Sequence, residues 1–323
     1  MLGSNGKGAL LALAGFGVFA THDVVVKTLG ATYSPIQIVF FSVLLGFPLT
    51  TLLMIRDASG GSLRPRHPVW TGLRAVAVVI TGFSAFYAFS VLPLAQTYAI
   101  LFATPLLITI LSIPMLGETV RLRRWMAVIA GLIGVIVVLR PGQTQIGLGH
   151  LAALTAAFGG AFGSIVVRKI GQEERSIVLL LYPMVANFLV MGAALPFVYH
   201  PMPLPDLGGQ AMIAGFAIVA TLCMIAAYRT GEAVVVAPMH YSQILWATFY
   251  GYLIFDETPD LPTVIGAGII IASGLYILFR EGRASVSEHR PVLQTRSRPD
   301  TGTSPRIGAL LRRTDARDRR AEG

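Results

Sequence analysis

Asp23 and Lys27 stand four residues apart inside a continuous apolar stretch, residues 8–29. In a helix that spacing puts an acid and an amine on one face. There they can neutralise each other, and a proton or a cationic solute can part them. An ionisable side chain in hydrocarbon costs on the order of 2.5–3.5 kcal/mol, so such groups are paired, hydrated or used. His22 projects about 100° away from Asp23 and is expected to meet another helix. A second set lies in residues 234–255: His240, Gln243, Trp246, Ala247 and Tyr250 fall within ~120° on a helical wheel. Rings interleaved with an imidazole, an amide and a phenol suit a planar heteroaromatic or amphipathic metabolite, because the rings stack and the polar tips fix its edges. The same stripe also suits a seam between helices with polar groups as glue.

Ser84 and Tyr87 project about 60° apart on one helix, and Thr97 and Thr104 lie one heptad apart on the next, just before Pro105. Hydroxyls in such places face a solute or bond back to their own helix. Pro105, Pro183 and Pro238 each delete an internal hydrogen bond, which frees a carbonyl or permits a bend. The candidate substrate-binding residues are therefore Asp23, Ser84, Tyr87, Thr104, His240, Gln243, Trp246 and Tyr250. The candidate gating or coupling residues are Lys27, Arg229 and Tyr241, with Asp23 or His240 as the point of proton coupling. Arg74 and Arg229 at helix ends are expected to snorkel to the interface; alternatively Arg229, Glu232 and Tyr241 form an inner gate. Glu118 and Glu257, in the turns Gly117-Glu118-Thr119 and Asp256-Glu257-Thr258, are expected to fasten those turns rather than bind substrate.

Hydrolytic, redox and metal chemistry find no footing. The six histidines, His22, His67, His150, His200, His240 and His289, are scattered, and the single cysteine, Cys223, has no partner base nearby in sequence. No GxxxxGK[ST] loop is present, so the chain does not drive itself with ATP. The reading is a non-enzyme with no cofactor and no bound metal. A membrane scaffold or receptor is the alternative class; it predicts no solute flux, and the absence of a sizeable polar domain counts against it.

What must position these residues follows from composition. Of 323 residues 54% are hydrophobic and only 13% charged, and the mean hydropathy is +0.69. That is too little charge to cover a water-soluble protein, so the bilayer is its solvent. Apolar runs of about the ~20 residues that cross hydrocarbon recur ten times, at 8–29, 35–55, 73–91, 94–116, 124–139, 147–167, 177–198, 210–228, 234–255 and 262–279. They are continuously apolar, unlike the alternating strands of a barrel. The expected fold class is an all-α polytopic membrane protein with ten transmembrane helices. The net charge of +9 is divided between short loops and a tail after residue 283, with no basic and aromatic interleaving, which argues against nucleic acid as a partner. The partners expected instead are a small-molecule substrate and the lipid bilayer.

With the N-terminus inside, alternate loops carry fourteen Lys and Arg residues against two on the other side, Lys27 and Arg140. The positive-inside rule then puts both termini in the cytoplasm. The run from Phe89 to Gly142 has a copy from Ala227 to Gly282, with Glu118 and Glu257 spaced by 139; Phe16-Gly17 and Val26-Lys27 fall on Phe158-Gly159 and Arg168-Lys169 at a spacing of 142. Five spans separate the copies, so they run in opposite directions: a 5+5 inverted repeat. The domains are residues 1–142, residues 143–283 and a basic, disordered tail, 284–323. Gly131, Gly134, Gly266 and Gly268 mark close packing on the fifth and tenth spans, which are the expected lipid-facing or homodimer surface.

Taken together these pieces resemble the EamA-type ten-helix members of the drug/metabolite transporter superfamily. The likeness rests on Asp23 with Lys27, Arg74, Leu92-Pro93-Leu94-Ala95, Pro105, Leu116-Gly117-Glu118, Arg123-Arg124-Trp125, Ala227-Tyr228-Arg229, Ala237-Pro238 with Tyr241, Leu245-Trp246-Ala247, Phe255 with Glu257, and Gly274. It looks closest to the branch of riboflavin and S-adenosylmethionine transporters. The resemblance implies a central cavity between two five-helix halves and transport by alternating access. The expectation is a multi-pass carrier of a bacterial cytoplasmic (inner) membrane, moving a riboflavin-like, S-adenosylmethionine-like or amino-acid-like metabolite.

Overall fold

The structure is a computed structural model describing residues 4–55, 63–118, 120, 122–141, 146–171, 173–231 and 233–283. The expected tail, 284–323, lies outside the described residues. The chain folds into helices α1 (Ser4–Gly30), α2 (Pro35–Ile55), α3 (Pro68–Val91), α4 (Leu94–Leu101), α5 (Thr104–Leu116) and α6 (Leu122–Leu139). There follow α7 (Leu148–Ile170), α8 (Ser176–Ala194), α9 (Leu204–Thr230), α10 (Ala233–Val236), α11 (Gln243–Phe255) and α12 (Leu261–Arg283). Among the described residues seven segments are long and apolar enough to cross a membrane, with Pro35–Pro48 and Leu261–Ile277 as shorter apolar helices. Outward faces such as Ile129, Ile133 and Ile136 of α6, or Leu245, Phe249 and Leu253 of α11, are exposed and apolar, as a lipid solvent requires.

Two of the expected spans are broken rather than continuous. Residues 94–116 divide at Phe102 and Ala103 into α4 and α5. Pro105 has no N–H to offer Leu101, and the Thr104 hydroxyl takes its place, donating to the Leu101 carbonyl at 2.7 Å. Residues 234–255 divide in the same way: Ala237–Ser242, with Pro238 near its start, is a 3₁₀ segment between α10 and α11. Subtracting 139 from 237–242 gives 98–103, the break in the earlier copy. The two breaks meet in the interior, where Phe102 and Tyr241 pack edge to face with ring centroids 5.2 Å apart.

The same correspondence governs how α5 and α11 end. Gly117 and Asp256 are left-handed, with φ of 70° and 54°. Each lets the next N–H turn back six residues, Glu118 N to Ser112 O at 3.4 Å and Glu257 N to Gly251 O at 2.9 Å. In both copies a left-handed residue closes the helix C-terminus, and it presents Glu118 and Glu257 in equivalent positions.

Helices pack in close pairs at their small residues. A Cβ on Gly8 would meet Gly231, and one on Gly15 would meet Cys223 and Met224, so α1 lies tight on α9. Likewise Gly159 of α7 abuts Thr81 of α3, and Gly134 of α6 abuts the Gly266 carbonyl of α12. Of the glycines expected to mark close packing, Gly131, Gly134 and Gly266 face neighbours within the chain, and Gly268 has open space.

Direction can be read from the contacts. Lys27, at the end of α1, reaches Leu92 just past α3, and Gly149, at the start of α7, rests on Val91 and Leu92. Hence α7 starts where α1 ends and runs the opposite way. At 1.5 Å per residue the 19 steps from Gly149 to Arg168 carry it about 29 Å to the far side.

Candidate functional site

Asp23 is buried, 1% exposed, where α1 passes α4 and α11, one turn before Lys27. One carboxylate oxygen accepts from the Tyr98 hydroxyl, and the other lies 2.7 Å from His22 Nδ1. The Gln243 amide nitrogen donates to the Tyr98 oxygen at 3.3 Å. The result is a buried polar chain, His22, Asp23, Tyr98, Gln243, joining the first half of the sequence to the second. Gln243 is 0% exposed, and its Oε1 has no hydrogen-bond partner among the described residues.

Aromatic rings enclose this chain. Phe86 meets His22 edge on at 6.0 Å, Phe89 meets Tyr98 at 5.3 Å, and His240 sits between Phe16 at 5.2 Å and Phe102 at 5.1 Å. Tyr241 lies beneath Phe102, and a Cβ on Gly274 would collide with its hydroxyl; the matching glycine of α12 is what admits the phenol. Such a sleeve of ring faces around hydrogen-bonding atoms is the chemistry that orients a flat or amphipathic solute.

Several expectations are corrected. Asp23 and Lys27 do not neutralise each other: the Lys27 ammonium pairs with Glu257 at 2.6 Å and donates to the Leu92 carbonyl at 2.6 Å. The i, i+4 pairing is a local option, and partners from α3 and α11 outcompete it. His22 meets α3 through Phe86 as expected, but its ring also turns to Asp23 and bonds to it. Arg74 does not snorkel; it is buried and donates to the Leu179 carbonyl. His240 sits on the 3₁₀ segment, so the stripe with Gln243, Trp246 and Tyr250 is not one continuous α-helical face. In this conformation the lower part of that stripe is a seam on α1. Trp246 lies on Gly17, and Tyr250 shares a 2.9 Å hydrogen bond with Thr21.

Tyr87 stacks on the exposed ring of Phe83, away from the aromatic sleeve. Ser84 is buried on α3, with no side-chain bond to the central chain. Thr104 is spent on the Leu101 carbonyl. Tyr98, Phe86, Phe89 and Phe102 belong to the site and were missing from the candidates; the signal for Tyr98 was a polar-tipped ring beside the proline break. The side chain of Arg229 and all of Glu232 lie outside the described residues, and the expected inner gate with them.

Towards the ends, charged groups tie elements together. Glu257 accepts from Leu94 N at 3.1 Å as well as pairing with Lys27. At the opposite end Glu118 pairs with Arg168, and Lys169 donates to the Met115 carbonyl at 3.1 Å and lies 4.4 Å over the Trp70 ring. Both glutamates therefore fasten, as expected. Beside Glu257 a small cleft is lined by Gln96, Ala247, Gly251 and Thr263, and none of the buried polar chain lines it. Arg140 pairs with Asp260 near the start of α12. Partial burial raises the Asp260 pKa, but hydrogen bonds from Thr263 and Arg140 outweigh it and hold the carboxyl below its ordinary value. Among the described residues no cluster of three or more metal-ligating side chains occurs.

The chain is similar over most of its length to named transporters. It is 25% identical over 269 residues to an S-adenosylmethionine uptake transporter of Rickettsia prowazekii (strain Madrid E), covering 83% of this chain and 91% of that protein. It is 24% identical over 272 residues to the pseudopaline exporter of Pseudomonas aeruginosa (strain PAO1), covering 83% and 94%. It is 26% identical over 270 residues to a riboflavin transporter of Vibrio cholerae serotype O1, covering 77% and 89%. A solved crystal structure shares the fold with a TM-score of 0.57 at 17% identity, over 86% of this chain and 99% of that one. The EamA-like transporter family matches residues 6–140 and again 147–279. With two copies covering nearly all of the helical region, the chain belongs to the EamA-like transporter family.

Proposed function

We propose that the chain is a secondary transporter moving a small aromatic or amphipathic metabolite, riboflavin-like, S-adenosylmethionine-like or amino-acid-like, across the bacterial cytoplasmic membrane by alternating access. The observation that carries this reading is Gln243: a carboxamide at 0% exposure whose oxygen has no partner among the described residues, set against Tyr98 and Asp23 inside a sleeve of rings. A buried acceptor left unbonded costs about 1–3 kcal/mol, which a donor on a bound solute recovers. The halves rock about this point, Asp23 or His240 exchanges the coupling proton, and Lys27, Tyr241 and Arg229 act in gating. The relatives are named for different solutes and for uptake as well as export, which fits specificity carried by side chains on a shared scaffold.

The test begins with a thermal-shift screen of the purified protein against flavins, S-adenosylmethionine, amino acids and nucleosides. Uptake of the stabilising compound into proteoliposomes follows, with and without a pH gradient. Gln243→Ala and Trp246→Ala are expected to weaken binding at least tenfold, about 1.4 kcal/mol. Unchanged affinity in both variants removes the site, no flux of any bound compound removes the transporter reading, and indifference to the gradient removes the proton.

A further inference from the structure

We infer that Lys27 with Glu257 and Arg168 with Glu118 are two reciprocal latches, one at each end of the molecule, whose alternate breaking sets which side the central site faces. The inference rests on the transport reading above and adds to it the residues that govern alternation.

Four observations converge on it. First, each half supplies the same parts: an acid after the left-handed residue that ends α5 or α11, and a base near the end of α1 or α7. The acids are spaced by 139; at 142 Lys27 falls on Lys169, and the base that meets Glu118 is its neighbour Arg168. Second, each pair crosses between the halves in exchanged order, the base from the first half meeting the acid of the second and the reverse. Third, the pairs stand at opposite ends, because α7 begins beside Leu92 and Lys27 and runs away from them. Fourth, both are partly shielded, with side chains 10% and 23% exposed at one end and 15% and 15% at the other.

That degree of burial suits a latch. A fully exposed pair holds almost nothing, and a fully buried one leaves uncompensated charge when it parts. A half-shielded pair holds while the mouth is dry and is released at little cost once water enters. Glu257 also grips the N–H of Leu94 at the start of α4, and Lys27 the carbonyl of Leu92. Parting this latch therefore cuts the charged tie that joins the end of α1 and the turn between α3 and α4 to the segment after α11. Both latches are closed here, and the site between them is enclosed. An opening that breaks one must leave the other made, since losing both would cut the charged ties at both ends.

The test reads solvent access and needs no substrate. In full-length protein with Cys223→Ser, reconstituted in vesicles, one reporter is Ala247→Cys, whose position is 1% exposed on the wall of the cleft beside Glu257. The other is Ser164→Cys, one turn before Arg168 and 6% exposed. Each is reacted with a membrane-impermeant maleimide from its own side. Lys27→Gln is expected to speed labelling at Ala247→Cys and slow it at Ser164→Cys, each by about tenfold, the shift that follows from biasing a two-state equilibrium by ~1.4 kcal/mol. Arg168→Gln is expected to do the reverse. Exchanging the charges, Lys27→Glu with Glu257→Lys, is expected to return both rates to within about twofold of the parent. Should Lys27→Gln fail to insert, Arg168→Gln and the exchange carry the measurement. Reactivity that rises at both ends together, rises only at the end mutated, or does not change overturns the inference. Any of these leaves the transporter reading standing, because that reading falls only on the absence of flux.

Discussion

The Tyr98 phenol is the joint of the central polar chain, since it gives its proton to Asp23 and takes a hydrogen bond from Gln243. Hydrogen bonds to a charged group are worth about 1.5–3 kcal/mol, so Tyr98→Phe, which keeps the ring and deletes the hydroxyl, should slow transport roughly tenfold or more while leaving membrane yield near the parent. Asp23→Asn should cut flux at least as far and abolish any response to a pH gradient in proteoliposomes; a variant that still responds would move proton coupling away from Asp23. Asp23, His240 and Gln243 stand out in the sequence as polar groups in an apolar run; Trp246, noted with them, lies on Gly17 in the seam with α1. The sequence hid Tyr98, whose partners lie 75 and 145 residues away, and it misassigned Lys27, whose true partner is on α11. Spacing along one helix reports what a residue can reach locally and is silent about a neighbour brought in by folding.

At the scale of elements, the ten apolar runs announced helices, but periodicity alone did not show that the runs at 94–116 and 234–255 would break. The prolines were visible, yet a proline can bend a helix or end it. Here Thr104 taking the Leu101 carbonyl decides for a break in the first, while in the second the chain passes through a 3₁₀ segment. The glycines marked close packing on α6 and α12 but not that each packs on the other, and that contact can be tested by contrast. A Cβ on Gly134 would stand 2.8 Å from the Gly266 carbonyl, whereas one on Gly268 meets nothing within 4 Å. Gly134→Val should lower the Tm in detergent, in keeping with an overpacking cost of about 1–3 kcal/mol, and Gly268→Val should not; equal effects would deny the α6 to α12 seam. The outer tie of the same two helices has a pH signature. With its pKa held low in the fold, Asp260 adds stability above its ordinary carboxylate value, and that stability is lost as pH falls through the depressed value. The pair is partly exposed, so its worth is under about 1 kcal/mol. The parent Tm should drop more between about pH 5 and pH 3 than that of Asp260→Asn, and parallel profiles would show the pair to be inert.

At the scale of the whole molecule, the close pairs α1 with α9, α3 with α7, and α6 with α12 each take one helix from either half, so neither half buries its small-residue faces alone. The proposed motion between the halves is then a rocking that trades contacts at one end for contacts at the other. That requires α1 and α7 to run in opposite directions, as their contacts show, and it ties sidedness to position along the fold. Gln37 at the start of α2 bonds the backbone of His200, which puts the turn before α9 at the Lys27 end, while Glu173 follows α7 and meets His67 at the Arg168 end. The surplus of arginine and lysine in the loops of the Arg168 end makes that end the expected cytoplasmic one by the positive-inside rule. In intact cells expressing the Cys223→Ser background, an impermeant maleimide should label Pro201→Cys and spare Glu173→Cys until the membrane is permeabilised. Labelling of Glu173→Cys alone would reverse the orientation and leave the inverted arrangement intact. Labelling of both without permeabilisation would mean that α7 does not cross the bilayer, and rocking about a midplane site would lose its structural basis.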